Sequence, residues 1–133
     1  MQRNPAYKMG INSYQSVQKG TMSGRETEAR VLSKAALKLK KCQENWDSEN
    51  RRTELEEAFE YNHQIWSIFQ TELTKPDHPM DKELRQNLLN LSVFIEGRIY
   101  DTRAYPDPEK LTAIININNG LAAGLRTSAA TAQ

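Results

Sequence analysis

Six residues spaced by alternating steps of four and three, Leu55, Phe59, Asn62, Trp66, Phe69 and Leu73, form a heptad seam over residues 55–73. An α-helix keeps such positions on one side, whereas a strand would scatter them over both faces. Ala58, Tyr61, Ile65 and Ile68 widen the apolar arc to about half of the helix circumference, more than a single neighbour can cover. This helix is therefore expected at the centre of a helical assembly. Asn62 is the one polar member of the seam, and a buried amide there would fix the register of packing. Asn118 plays the same part in a later apolar stripe, so a bond between the two amides is expected. His63 falls on the polar side, away from Trp66, and reads as a surface histidine.

The rest of the chain supplies neighbours for that helix. Residues 1–22 form an arm with Tyr7, Ile11, Tyr14 and Val17 at helical intervals, although Gly10 and Gly20 disfavour a free helix. Ser23 and Glu26 make a capping box that opens a first helix, ending near Trp46. Its inward stripe is Leu32, Ala35, Ala36, Leu39, Gln43 and Trp46. The central helix is expected to begin between Ser48 and Thr53, where Thr53–Glu56 makes a second capping box, and the prolines of Lys75-Pro76-Asp77-His78-Pro79 end it. A third helix is expected from about Asp81 to about Thr102. Leu84, Leu88, Leu91, Ile95 and Ile99 form its main stripe; Leu89, Val93 and Tyr100 form a second, nearly opposite. Asp107 as N-cap with Pro108 behind it starts a fourth helix, which Gly124 helps to stop. The expected architecture is all-α: a small antiparallel bundle of about four helices with a short N-terminal arm or helix. The arm is 1–22, the bundle domain 23–125 and a flexible tail 126–133.

Several function classes are excluded on chemistry. A net charge of +1 gives no global field toward nucleic acid or membrane. The lone Cys42 cannot form an internal disulfide and suits a reducing compartment. No apolar run is long enough to span a bilayer, and no secretory signal follows Arg3, so a cytoplasmic location without membrane attachment is expected. Two histidines, one of them in a proline-rich turn, offer neither metal-ligand spacing nor a nucleophile–base pair. No enzyme, cofactor or metal is expected. One stripe, Arg30, Lys34, Lys38 and Lys41, could touch RNA, but no aromatic side chain interleaves it for base stacking. Residues 23–46 carry six basic and three acidic side chains (+3), and 47–74 carry two and seven (−5). Attraction between adjacent helices accounts for that pattern, and nucleic acid is an unlikely partner.

Four blocks in order, SGRETEARVLSKAALKL, EAFEYNHQIWSIFQTEL, LRQNLLNLSVFI and PDPEKLTAIININNGLAAGL, resemble the FlaF family of flagellar biosynthesis regulators of alphaproteobacteria. The resemblance covers Ser23 to Leu125 and is most distinctive in the Asn-x-x-x-Trp of the second block and the closing Ile-Asn-x-Asn-x-Gly-Leu-Ala-x-Gly-Leu. It implies a cytoplasmic helical protein that binds flagellin as a secretion chaperone or adaptor, promotes flagellin synthesis and filament assembly, and acts beside the regulator FlbT. The alternative reading is an RNA-binding post-transcriptional regulator of flagellin synthesis.

Surplus apolar surface is where a partner would bind. Leu89, Val93 and Tyr100 project from the third helix opposite its main stripe, and soluble proteins seldom expose such a patch without a use. Three occupants fit: another helix of the bundle, the arm through Tyr7, Ile11 and Tyr14, or an amphipathic helical segment of flagellin.

Overall fold

The computed structural model describes residues 24–131, with side chains as far as Thr127. The expectations for the arm, including Tyr7, Ile11, Tyr14 and the Ser23 cap, lie outside the described residues. Four helices follow one another: α1 Gly24–Glu44, α2 Arg51–Leu73, α3 Lys82–Ala104 and α4 Leu111–Thr131, with a short 3-10 turn at Pro108–Lys110 before the last. No strand occurs among the described residues. The all-α bundle is as expected.

The helix ends show which local signals prevailed. Asp81 caps α3, its carboxylate accepting from the backbone N–H groups of Glu83 and Leu84. Asp107 accepts from Glu109 N–H with Pro108 behind it, but the turn it starts is 3-10, and α4 proper begins at Leu111. α2 begins at Arg51, within the expected range of Ser48 to Thr53, although Asn50 supplies no side-chain cap. One expectation fails. Gly124 does not stop α4, which continues through residues 125–131; a glycine costs a helix only about 1 kcal/mol, less than the packing of a helix end returns.

The seam of α2 sits at the centre. Trp66, Phe59, Leu32, Leu39, Ile95, Ile99, Leu111 and Ile114 are fully buried together, and Phe69 meets Trp66 edge to face at 5.9 Å and 89° while staying half-buried. α1 packs most extensively on α4, then on α2, and α2 packs on α3. Glu26–Arg126 at one end of the α1–α4 pair and Gln43–Thr112 at the other establish that these two run antiparallel. Among the described residues, α3 and α4 meet only sparsely.

Through the core runs one polar chain. Trp66 Nε1 donates to Asn118 Oδ1 at 2.9 Å, and Asn118 Nδ2 donates to Asn62 Oδ1 at 2.7 Å. Asn62 Nδ2 then donates to the carbonyls of Ala35 at 3.2 Å and Ala58 at 2.9 Å. Both amides are fully buried. The expected Asn62–Asn118 bond exists, and it ties α1, α2 and α4 into one register. Only one relative position of the three helices satisfies every group in the chain.

Candidate partner-binding face

α3 is held from one flank. Ser92 accepts from Gln70 Nε2, Glu96 bonds His63 Nδ1 at 2.8 Å, and Arg103 grips Glu56 at 2.6 and 3.1 Å while its guanidinium stacks on Phe59. His63 is thus a surface residue, as expected, but one that ties α2 to α3. Ile95, Ile99 and Thr102 point into the core. Leu84 does not belong with them: it is 50% exposed. It shares their angular position, but it lies in the first turn of α3, and the described residues of α3 and α4 share little contact overall.

The opposite side of α3 is bare. Val93 is 65% exposed and Tyr100 78%, while Leu89, nearer α2, is half-buried. Of the three occupants considered, another helix of the described bundle is not seated there. Between Val93 and Tyr100 lies Gly97, where an added Cβ would meet nothing within 4 Å. Two apolar knobs therefore flank a notch. Along the outward line, Gln86, Asn90, Val93, Gly97, Tyr100 and Ala104 carry no charge. The nearby charges are engaged within the chain: Glu96 with His63, Arg98 over the Phe94 ring at 5.2 Å, Asp101 with Lys110 at 2.9 Å and Arg103 with Glu56. Such a surface suits an apolar helix and offers little to a phosphate backbone.

The basic stripe is partly occupied as well. The ammonium groups of Lys34 and Lys38 lie 5.6 and 5.2 Å from the centroid of the Tyr61 ring on α2. Burial raises the Tyr61 phenol above its ordinary pKa and keeps it neutral, so the ring acts as a cation–π platform. Arg30 pairs with Glu26 along α1.

Little reactive chemistry is offered by the described residues. They contain no group of three or more His, Cys, Asp or Glu able to hold a metal ion. Cys42 is buried, and burial pushes its thiol pKa up, away from the reactive thiolate. No helix among the described residues is long and apolar enough to cross a membrane.

Sequence reasoning missed Phe94, 42% exposed on the flank of α3 facing away from α2. Its place in neither helical stripe was the available signal.

Comparison with known proteins gives one match. The sequence model of the family described as flagellar protein FlaF matches residues 10–125. No curated protein and no solved structure matches the chain.

Proposed function

The chain belongs to the FlaF family of flagellar proteins, and on that premise we propose that it binds flagellin in the cytoplasm as a non-catalytic export chaperone or adaptor. In this reading an amphipathic flagellin helix lies along the outer face of α3, with Val93 and Tyr100 entering its apolar side and its backbone approaching at Gly97. Holding flagellin before export would let the protein promote flagellin synthesis and filament assembly, in concert with FlbT.

The observation that supports this reading most is the uncharged stretch of α3 around Val93, Gly97 and Tyr100, beside which Glu96, Asp101 and Arg103 are ion-paired. A helix pressed on Val93 and Tyr100 buries apolar surface worth ~25 cal/mol per Å² beside charges that are mostly ion-paired, so little of that gain is offset by desolvated charge. Val93→Asp with Tyr100→Asp tests it. Both side chains are largely exposed, so circular dichroism and melting should stay near wild type while flagellin no longer co-purifies. A folded double variant that retains flagellin would exclude this face.

A further inference from the structure

Exposed apolar surface is concentrated on one helix. Among the described residues the exposed large hydrophobic side chains are Leu37, Leu84, Val93, Phe94, Tyr100 and Tyr105, and all but Leu37 lie on α3 or at its C-terminal cap. Within that stretch, Val93, Glu96, Gly97 and Tyr100 stand at i, i+3, i+4 and i+7. Four positions so spaced form the diamond on a helix surface that receives one side chain of a facing helix. Gly97 borders other such diamonds, but only this one has both Val93 and Tyr100 as walls.

Nothing within the described residues asks for glycine at 97. Its φ is not positive, and an added Cβ would meet nothing within 4 Å, so neither conformation nor packing requires it. Glycine is also the poorest residue for a helix interior after proline. What its missing side chain does supply is depth: a hole with one bare corner between two projecting side chains. Glu96 is the fourth wall and the charged one. His63 on α2 donates from Nδ1 to Glu96 Oε1 at 2.8 Å, the carboxylate being an acceptor only. That bond draws the carboxylate toward α2 and leaves the aliphatic stem of Glu96 as the part next to the hole. A released carboxylate would be free to swing over the hole, where a docking helix would have to strip its water.

We propose that this diamond is the anchor point of the docked helix, and that His63 is the positioning residue that keeps it uncharged. One large aliphatic side chain of flagellin, of the leucine, isoleucine or methionine kind, enters between Val93 and Tyr100 and rests on Gly97. The inference rests on the outer face of α3 being the flagellin site. A small partner residue would leave the hole unfilled and forfeit dispersion contact with its lining. A basic partner residue would be buried against a carboxylate that His63 already engages, and an acidic one would meet it as a like charge. A large aliphatic side chain meets the Val93 methyls, the Tyr100 ring and the Glu96 stem without stranding a polar group.

Flagellin affinities of purified full-chain variants test this, with circular dichroism and melting as the check on folding. Gly97→Leu fills the hole from the chain's own side, into open space and with better helix propensity. Its Tm should not fall, while Kd for flagellin should rise about tenfold or more. His63→Ala removes an exposed pair of little worth to stability, so the variant stays folded. It should nevertheless bind flagellin several-fold more weakly. Adding Glu96→Gln should bring Kd back to within about twofold of wild type, because the amide carries no charge to desolvate. A pair that matters only as a tie between α2 and α3 predicts no rescue, since the double variant lacks that tie too. A double variant as weak as His63→Ala would therefore overturn the proposal. So would Gly97→Leu or His63→Ala binding flagellin as the wild type does. Failure of the underlying reading is distinguishable: flagellin would then also bind Val93→Asp with Tyr100→Asp, or would not bind the wild type, and the anchor would fall with the face.

Discussion

Replacing Asn118 with leucine should expose how much the buried amide chain contributes. Leucine has the branched outline of asparagine but is larger, so it leaves no cavity and adds some overpacking to the chemical loss at this fully buried site. Two groups lose their only described partner: Trp66 Nε1–H, at 2.9 Å from Asn118, and Asn62 Oδ1, at 2.7 Å. A buried unsatisfied donor or acceptor costs ~1–3 kcal/mol, which gives about 2–6 kcal/mol before relaxation. Total stabilities are typically ~5–15 kcal/mol, so this is a large share. At ~3–5 °C per kcal/mol for a chain of this length, a loss near 3 kcal/mol lowers Tm by about 10–15 °C.

Urea unfolding followed by tryptophan fluorescence and circular dichroism measures it, and a double-mutant cycle isolates the network. Asn62→Leu alone strands one Asn118 N–H, whereas Asn62→Leu with Asn118→Leu strands only Trp66 Nε1–H. The pair should therefore be less destabilised than the sum of the singles by the cost of two stranded groups, about 2–6 kcal/mol before relaxation. Singles that add to within ~0.5 kcal/mol would refute the claim that these amides act as one network.

Three further outcomes are expected. Trp66→Ala should cost ~3–5 kcal/mol through lost burial and a cavity, and an unchanged melting temperature with lost flagellin binding would make Trp66 a contact residue instead. Glu28 has its carboxyl pKa raised, chiefly by burial and also by Glu72, against the lowering effect of Arg25. The folded protein thus binds that proton more tightly than the unfolded chain, and the contribution to stability is present below pH 4.5 and lost as pH rises through the raised value. Glu28→Gln should accordingly raise Tm at pH 7 but not at pH 4, and a variant less stable at pH 7 would contradict this. Lys34→Glu with Lys38→Glu gives up two contacts to the Tyr61 ring, so modest destabilisation and nearly normal flagellin synthesis are expected; lost flagellin translation with intact flagellin binding would instead favour RNA contact.

Where periodicity and burial coincide, the sequence was a reliable guide. The heptad seam placed α2 at the centre, and two asparagines in otherwise apolar stripes announced their own pairing. Asp107 capped as its position implies, although the turn it starts is 3-10. Signals that depend on the neighbourhood were less legible. The Thr53 box lies inside α2, whose start at Arg51 falls within the range expected from the sequence. Leu84 shares the angular position of the buried stripe, yet it is exposed in the first turn of α3. Glycine in α4 costs little where one side of the helix is already anchored. Of the candidate face, Val93 and Tyr100 were legible as apolar residues out of phase with the core stripe. Gly97 and the pairing of the surrounding charges were not, because ion pairs such as Glu96–His63 and Arg103–Glu56 join residues far apart in sequence.

The most direct test is the affinity of the purified full chain for monomeric flagellin, measured at low and high salt for the wild type and for Val93→Asp with Tyr100→Asp. An apolar contact centred on Val93 and Tyr100 predicts a 1:1 complex whose Kd barely changes with salt and that the double variant abolishes while remaining folded. No complex with flagellin, or a complex that the variant leaves intact, would contradict the account.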